Sequence, residues 1–460
     1  MHTPSLLIAA GLVLSSTLLL RASTSDVVVP AAAGTAPTAR SAPASTGVAP
    51  ECGGEPCDAI LRGLGAFLDR KLTGLEGNGR ACADCHMPTD SFQLSPASVE
   101  ARFQLLQWRR RFNPNADDPL FRPVDADDFR TLGDDARDFS NLRQNGLVRV
   151  TFPLPPNIRV IDPATDAPSA DTFVDVFRAV PTVDNVALTG PDGINPWPRG
   201  PNPSGGYQLD GRFETLQEQA LAAFTAHAQV RNAPPPRMLD DLASFQRILF
   251  TNPRVRALSD AVREGTLPLP DADGPLTALE QAGKAVFVRA CAQCHSGPGQ
   301  STTQPPVIRF HDISSQCPRP VDTVTPARWA FTPCAPQLAR NARIYEITLP
   351  NGTRIRRTSS DPGRALLTGF AGVGPAPQDD WNKLDVPSLR GLRQTAPYFH
   401  NNSAPTIEAV IDHYTEFFKR AVANAPAGPG APILSTDGVH ADRPPTPEER
   451  LPLIAYLKTL

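Results

Sequence analysis

The sequence predicts an all-α fold with long loops, and three observations carry that prediction. Apolar residues recur at helical spacing in three separate stretches. No sustained period-2 alternation flanked by hairpin turns accompanies them. Proline accounts for 51 of 460 residues, roughly twice average usage, which places much of the remainder in loops. A hydrophobic content of 40% still supports a packed core, and the length accommodates two domains of ordinary size. Lys and Arg number 44 against 47 Asp and Glu, a net charge of −3. That balance implies neither nucleic acid nor an anionic membrane surface as a partner.

The chain opens on Leu6–Leu20, an almost purely apolar run bounded by Arg21. It is too short to span a bilayer comfortably and suits the apolar core of a secretory signal, so 1–25 reads as a signal peptide. Membrane association is expected only if this segment stays uncleaved. Residues 26–50, rich in Ala, Pro, Thr and Ser, form a tether too poor in bulky side chains to pack. The first helix is marked by Ile60, Leu64, Phe67, Leu68 and Leu72, with Asp58 as its expected N-cap. A second carries Leu279, Ala282, Gly283, Val286, Phe287 and Ala290, opened by a capping box of Thr277 and Glu280. A closing helix starts at Thr446-Pro447-Glu448-Glu449 and presents Leu453, Ile454, Leu457 and Leu460. Pro and Asp cluster over Leu267–Pro275, the expected seam between an N-terminal domain, 51–270, and a C-terminal one, 271–460.

Cysteine spacing gives the chemistry. Four of the eight cysteines lie in two copies of one pentapeptide, Cys82-Ala83-Asp84-Cys85-His86 and Cys291-Ala292-Gln293-Cys294-His295. C-x-x-C-H is the attachment pattern of c-type haem: the thiols add to the porphyrin and the adjacent histidine binds iron from the proximal side. A zinc knuckle would want the two pairs close in sequence. A redox dithiol explains neither the repeated histidine nor the export signal. Two covalent haems are therefore expected, held by Cys82, Cys85, Cys291 and Cys294, with His86 and His295 as iron ligands. The frame becomes two cytochrome c-like haem domains, each with a helix near its motif. The other four cysteines read as two disulfides, Cys52–Cys57 and Cys317–Cys334, in an oxidising compartment.

The segment Val386-Pro387-Ser388-Leu389-Arg390-Gly391-Leu392-Arg393-Gln394-Thr395-Ala396-Pro397-Tyr398-Phe399-His400-Asn401 resembles the signature of the bacterial dihaem cytochrome c peroxidases. That superfamily also contains the dihaem enzyme that matures the methylamine dehydrogenase cofactor. Asp210-Gly211-Arg212 with Leu216-Gln217-Glu218-Gln219-Ala220 is similar to a second family stretch, and Arg178–Ala187 to the loop before it. The resemblance runs in order over about 57–460, with insertions around 110–175 and 310–345.

The resemblance implies a distal Met or Tyr on the second haem, 19 positions after the Thr of T-A-P-Y-F-H, which is Tyr414 here. His413 is its neighbour but points about 100° away on a helix, and the stripe around Tyr414 also suits a core tyrosine. At the first haem, where the family has or can open a vacant iron position, the peroxidases carry a Glu ten residues after the Gln matched by Gln219. That position is Gln229, an amide that exchanges no proton at neutral pH. His227 stands two residues earlier, as a distal acid/base, an iron ligand or a core histidine. Leu209 occupies the place of the family's inter-haem tryptophan. A family calcium site would use the carbonyls of Thr395 and Pro397, but its completing Asn is matched by Ala179.

The implied activity is a periplasmic dihaem oxidoreductase, similar to cytochrome c peroxidase. It would take electrons from a small cytochrome or cupredoxin and reduce peroxide, or use oxygen, at the N-terminal haem. The alternatives are a non-catalytic electron-transfer cytochrome, or a dihaem oxygenase of a bulky apolar substrate.

Overall fold

A computed structural model of the chain describes residues 51–122, 124, 139–189, 206–301, 310–313, 315, 336–371, 379–423, 433–434, 440–441 and 444–460. The expected signal peptide and tether, and the expected Cys317–Cys334 disulfide, lie outside the described residues. Eight helices of eleven residues or more carry the described part. They are α1 (Cys57–Leu68), α2 (Pro96–Arg110), α3 (Leu216–Ala226), α4 (Pro236–Arg247), α5 (Pro253–Glu264), α6 (Ala278–Ala290), α7 (Ile407–Ala423) and α8 (Pro447–Leu457). No helix among the described residues is long and apolar enough to cross a membrane.

Local chemistry explains where these helices start. At α6, the Thr277 hydroxyl accepts from the Glu280 N–H while the Glu280 carboxylate accepts from the Thr277 N–H, the capping box expected from sequence. Thr446 and Glu449 do the same for α8. At α1 the expectation needs correcting. Pro56, not Asp58, is the N-cap and makes no side-chain cap. Its fixed φ, together with the Cys52–Cys57 disulfide, starts the helix two residues early, at Cys57. Asp58 falls in the first turn and pairs with Arg62 at 2.5 Å.

Two helix pairs repeat one design. α1 crosses α4 at Gly63, where a Cβ would lie 1.9 Å from the Asp241 carbonyl oxygen. α6 crosses α8 at Gly283, where a Cβ would lie 1.9 Å from the Pro452 carbonyl oxygen. Only glycine permits either approach. One turn further on, Phe67 meets Phe245 with ring centroids 5.2 Å apart, and Phe287 meets Tyr456 at 5.3 Å. Each pair anchors its own buried apolar cluster.

The all-α expectation is corrected by a substantial β component. β1 (Leu147–Pro153), β2 (Ile158–Asp162), β3 (Ala167–Pro168), β4 (Phe173–Ala179), β5 (Arg343–Thr348) and β6 (Arg354–Ser359) form two antiparallel arrangements. β1 pairs with β4 from Leu147↔Ala179 to Pro153↔Phe173. The other four make a sheet in the order β3-β2-β5-β6. Phe152, Ile158, Val176, Tyr345, Ile347 and Trp381 fill the core beneath them. β4 does alternate inward and outward. Its partner, however, is reached through β2 and β3 rather than a two-residue turn, so the short-range hairpin signal is absent. β2 and β5 come from opposite sides of the expected 270/271 seam and pair directly, Ile158 opposite Ile347.

Candidate haem sites

Each pentapeptide folds into a single tight turn. The His86 N–H donates to the Cys82 carbonyl at 2.8 Å, and the His295 N–H to the Cys291 carbonyl at 2.9 Å. Cys82, Cys85, Cys291 and Cys294 are all unbridged thiols. Burial pushes the Cys82 thiol up to about 11 and the Cys291 thiol up to about 12. Asp84, inside the first motif, is almost fully buried. It is pinned by Arg70 at 2.5 Å, Arg102 at 2.8 Å and the Ala81 N–H at 2.9 Å.

The two motif histidines are oriented alike. His86 Nδ1 lies 3.1 Å from the Phe92 carbonyl oxygen, and His295 Nδ1 lies 3.1 Å from that of Gln300. Phe92 and Gln300 both have left-handed backbones, φ +55° and +52°. Such a conformation costs of order 1 kcal/mol for a non-glycine residue. Twice, the fold accepts that strain where a carbonyl must face an imidazole. The bond fixes Nδ1 as the protonated nitrogen and leaves the Nε2 lone pair for iron. Burial keeps both rings neutral: it lowers the His86 pKa and brings His295 down to about 4, against smaller opposing backbone hydrogen bonds.

The first motif opens on a cavity with about 1300 Å³ of empty space, part of it continuous with solvent. Cys82, Cys85 and His86 line it. So does one face of α3 and its C-cap: Leu216, Gln219, Ala220, Ala223, Phe224 and His227. These fall at helical spacing, one stripe of one helix. Predicted residues His227 and Gln219 therefore share a cavity with the first motif. Gln229 does not. It lies two residues beyond the C-cap, exposed, with φ +49°, and its side-chain oxygen sits 3.4 Å from Asn78 Nδ2. The His227 carbonyl accepts from Asn78 Nδ2 at 2.9 Å and Arg80 Nη1 at 3.1 Å, fixing the backbone that carries the ring.

The second site is enclosed by aromatic rings. Tyr414, on α7, is half-buried with its ring 6.2 Å from that of Phe399 and 6.1 Å from Phe418. Burial first, then the neighbouring thiols of Cys294 and Cys291, raises its phenol pKa. His413 is directed elsewhere. Its Nε2 lies 2.8 Å from the Ile313 carbonyl oxygen.

Sequence reasoning missed two groups. Arg178 and Arg212 line the first cavity. Arg178 is buried and bridges Asp210 at 2.5 Å and Asp361 at 2.6 Å. Burial alone would depress the Arg178 pKa, but these carboxylates outweigh it and the net shift is upward. Both arginines sit in the stretches that carry the family resemblance; what they touch depends on β4 and β6, which the sequence reading did not foresee. The second group is His311, buried, with Nε2 3.9 Å from Cys294 Sγ. It lies in an insertion with no motif around it. At the expected calcium position, Ala179 offers a backbone N–H to the His400 carbonyl at 2.6 Å and no side-chain oxygen.

Unbridged thiol pairs, imidazoles oriented through Nδ1, and a cavity beside the first motif fit c-type haem. The comparisons with known proteins agree with that chemistry. No family model matches the chain. A curated relative, the cytochrome-c peroxidase IdrP2 of Denitromonas iodatirespirans, is 30% identical over 143 residues, 31% of this chain. Over that stretch the chain is similar to a cytochrome-c peroxidase. The match spans 32% of that relative's length. Among solved structures, a MauG-like protein associated with microbial copper homeostasis aligns over 91% of each chain at 19% identity, with a TM-score of 0.41. The diheme peroxidase BthA from Burkholderia thailandensis aligns over 88% of this chain and 86% of its own, at 16% identity and a TM-score of 0.43. Superposition at that level fixes neither site residues nor activity.

Proposed function

We propose that this chain is a dihaem c-type oxidoreductase that reduces peroxide at the first site. Electrons enter at the second site from a small cytochrome or cupredoxin. The observation that carries this reading is the shared lining: one stripe of α3 brings His227 and Gln219 into the cavity that Cys82, Cys85 and His86 also line. Haem held there would supply an iron position open to peroxide, whose reduction to two waters takes two electrons and two protons. His227, in the same lining, would move a proton between the peroxide oxygens as a general acid–base group. Gln219, in the same lining, would orient the peroxide through its amide. Arg178 and Arg212 offer positive charge to the haem carboxylates. Tyr414 would help hold the second haem, which would supply electron relay rather than substrate binding. The Cys52–Cys57 disulfide supports an exported, oxidising location. Where described, the insertions around 110–175 and 310–345 contribute β-strands, among them β2 and β5.

His227 also carries the second reading, a pure electron carrier in which its imidazole ligates the first iron. Electron paramagnetic resonance and His227→Ala separate the two. A distal acid/base gives a high-spin first haem, and the variant slows peroxide turnover by about 10²–10⁴. If the wild type binds neither peroxide nor cyanide in either redox state, and His227→Ala alone gains binding, the carrier reading replaces the peroxidase.

A further inference from the structure

The outer face of α2 ends in an apolar stripe that the described residues leave uncovered. Leu105, Trp108 and Phe112 are 54%, 56% and 75% exposed, and the Trp108 and Phe112 ring centroids lie 5.2 Å apart. Val99 and Leu106, elsewhere on the same helix, are buried in the core with Leu120 and Phe121. Arg111 caps α2 with helical dihedrals, φ −65° and ψ −28°, so the helical wheel runs on to the end of the stripe. At about 100° per residue, the three apolar side chains span about 60° of that wheel. Arg109 follows about 40° beyond one margin and Arg111 about 60° beyond the other. Both are exposed. Arg110 falls on the far side, where its Nε donates to the Ala116 carbonyl at 3.0 Å. From Ala101 to Ala116 the chain has four arginines and no Asp or Glu. The carboxylates that flank this stretch are engaged: Glu100 by Arg143 at 2.8 Å, Asp117 by Arg122 at 2.7 Å, and Asp118 by Arg102. The stripe is therefore cationic at both margins, on a chain whose net charge is −3.

We propose that the end of α2 is a peripheral membrane-docking surface. Leu105, Trp108 and Phe112 enter the interfacial layer of a bilayer, and Arg109 and Arg111 meet anionic phospholipid headgroups. An apolar stripe with basic margins is the arrangement of helices that lie in that interface, and Trp favours headgroup depth. Each arginine near an anionic surface adds an attraction that fades within a Debye length. Size favours lipid over protein as the occupant. Three partly exposed side chains offer at most a few hundred Å², well under the roughly 800 Å² per partner of a standard protein interface. The charge balance of the whole chain, which argued against an anionic surface, averages this patch away. The docking needs nothing from residues 1–25, so it is separate from any uncleaved signal segment. It also bears on the first site. Arg102, about 9 Å along α2 from Trp108, holds Asp84 of the first motif at 2.8 Å. Lipid contact at the end of α2 thus sets the first motif at a fixed orientation to the membrane.

The test sediments the mature protein with vesicles of phosphatidylcholine alone, or of equal parts phosphatidylcholine and phosphatidylglycerol. The expected result is binding to the mixed vesicles that weakens as sodium chloride is raised. Trp108→Ser combined with Phe112→Ser should lower that binding about tenfold. Arg109→Gln combined with Arg111→Gln should lower it severalfold and erase the preference for phosphatidylglycerol. Absorption spectra and thermal melts should match the wild type in both, because the four side chains are exposed. If the double serine variant does not fold, Phe112→Ser alone carries the same prediction at smaller size. Wild-type protein that stays in the supernatant with both vesicle types overturns the proposal. So does binding that is equal on the two vesicle types and untouched by the substitutions, the result expected of an apolar N-terminal anchor. A concentration-dependent dimer on size exclusion, lost in the serine variant while vesicle binding holds, overturns it in favour of a second copy of the chain.

Discussion

The two motif regions are framed alike and completed differently. Each has a helix crossed at a glycine, Gly63 or Gly283, an aromatic contact one turn on, and a histidine held through Nδ1 by a left-handed carbonyl. Beyond that frame the first region opens a cavity against α3, whereas the second lodges Tyr414 among Phe399 and Phe418. The shared frame answers the demand of holding haem. What differs is access, and under the proposed function access separates a site for chemistry from a site for relaying electrons.

The largest expected effect tests the shared frame. Cys82→Ala and Cys291→Ala should each remove one covalent haem and leave the other, seen as a fall from two haems to one by pyridine haemochrome and on haem-stained denaturing gels. If either change removes both haems, the two frames do not mature independently and the comparison breaks.

Next is Arg178, which ties the first cavity wall to Asp361, the residue two past β6. Arg178→Leu strands the buried Asp361 without its guanidinium and leaves the buried Asp210 only the longer contact to Arg212 at 3.5 Å. Breaking a buried pair in this way costs about 3–5 kcal/mol. Urea denaturation measures it, and a loss below about 1 kcal/mol would show that the cluster relaxes or admits water. A smaller effect, confined to the second region, comes from Tyr414→Phe. It should change the spectrum and raise the potential of the second haem while sparing the first, because an oxygen ligand favours oxidised iron. An unchanged spectrum in the folded variant returns Tyr414 to ordinary packing.

How much of this was legible in sequence follows from the range of each signal. Cys82–His86 and Cys291–His295 declare themselves within five residues, and the capping boxes at Thr277 and Thr446 within four. Gln219 and His227 could be placed because one helix sets their spacing. Gln229 could not, since its position depends on α3 ending at Ala226 and the chain turning left-handed beyond it. The sheet was missed because β2 finds β5 across more than 180 residues, beyond any hairpin signal. Arg178 and His311 were missed for the same reason: their partners, Asp361 and Cys294, are brought to them by long-range pairing and not by local pattern. Even the repeat of Gly63–Phe67 in Gly283–Phe287 shows itself only once the helices they cross are known.

The smallest predicted effect contrasts one carboxylate in each region. Asp184 follows Thr182 and Val183 in the first cavity wall, and burial, only partly opposed by its Thr182 hydrogen bond, pushes its pKa up to about 6. The unfolded chain titrates near 3.9. Between about pH 4 and 6 the native state therefore holds a proton that the unfolded state has released, so stability falls as pH rises through that window and is level above it. With its partial exposure discounted, the loss is about 1 kcal/mol. Asp273, buried near His295, has the opposite sign. Burial alone would raise its pKa, but Lys284 at 2.7 Å and Arg390 at 2.5 Å depress it overall. Its contribution is present at neutral pH and lost as pH falls through the depressed value. Asp184→Asn should then stabilise the protein at pH 7 and change little at pH 4, whereas Asp273→Asn should destabilise at pH 7 and less so in acid. Thermal melts of both variants from about pH 2 to pH 7 decide it, and curves of the same sign would show that the two acids share one environment.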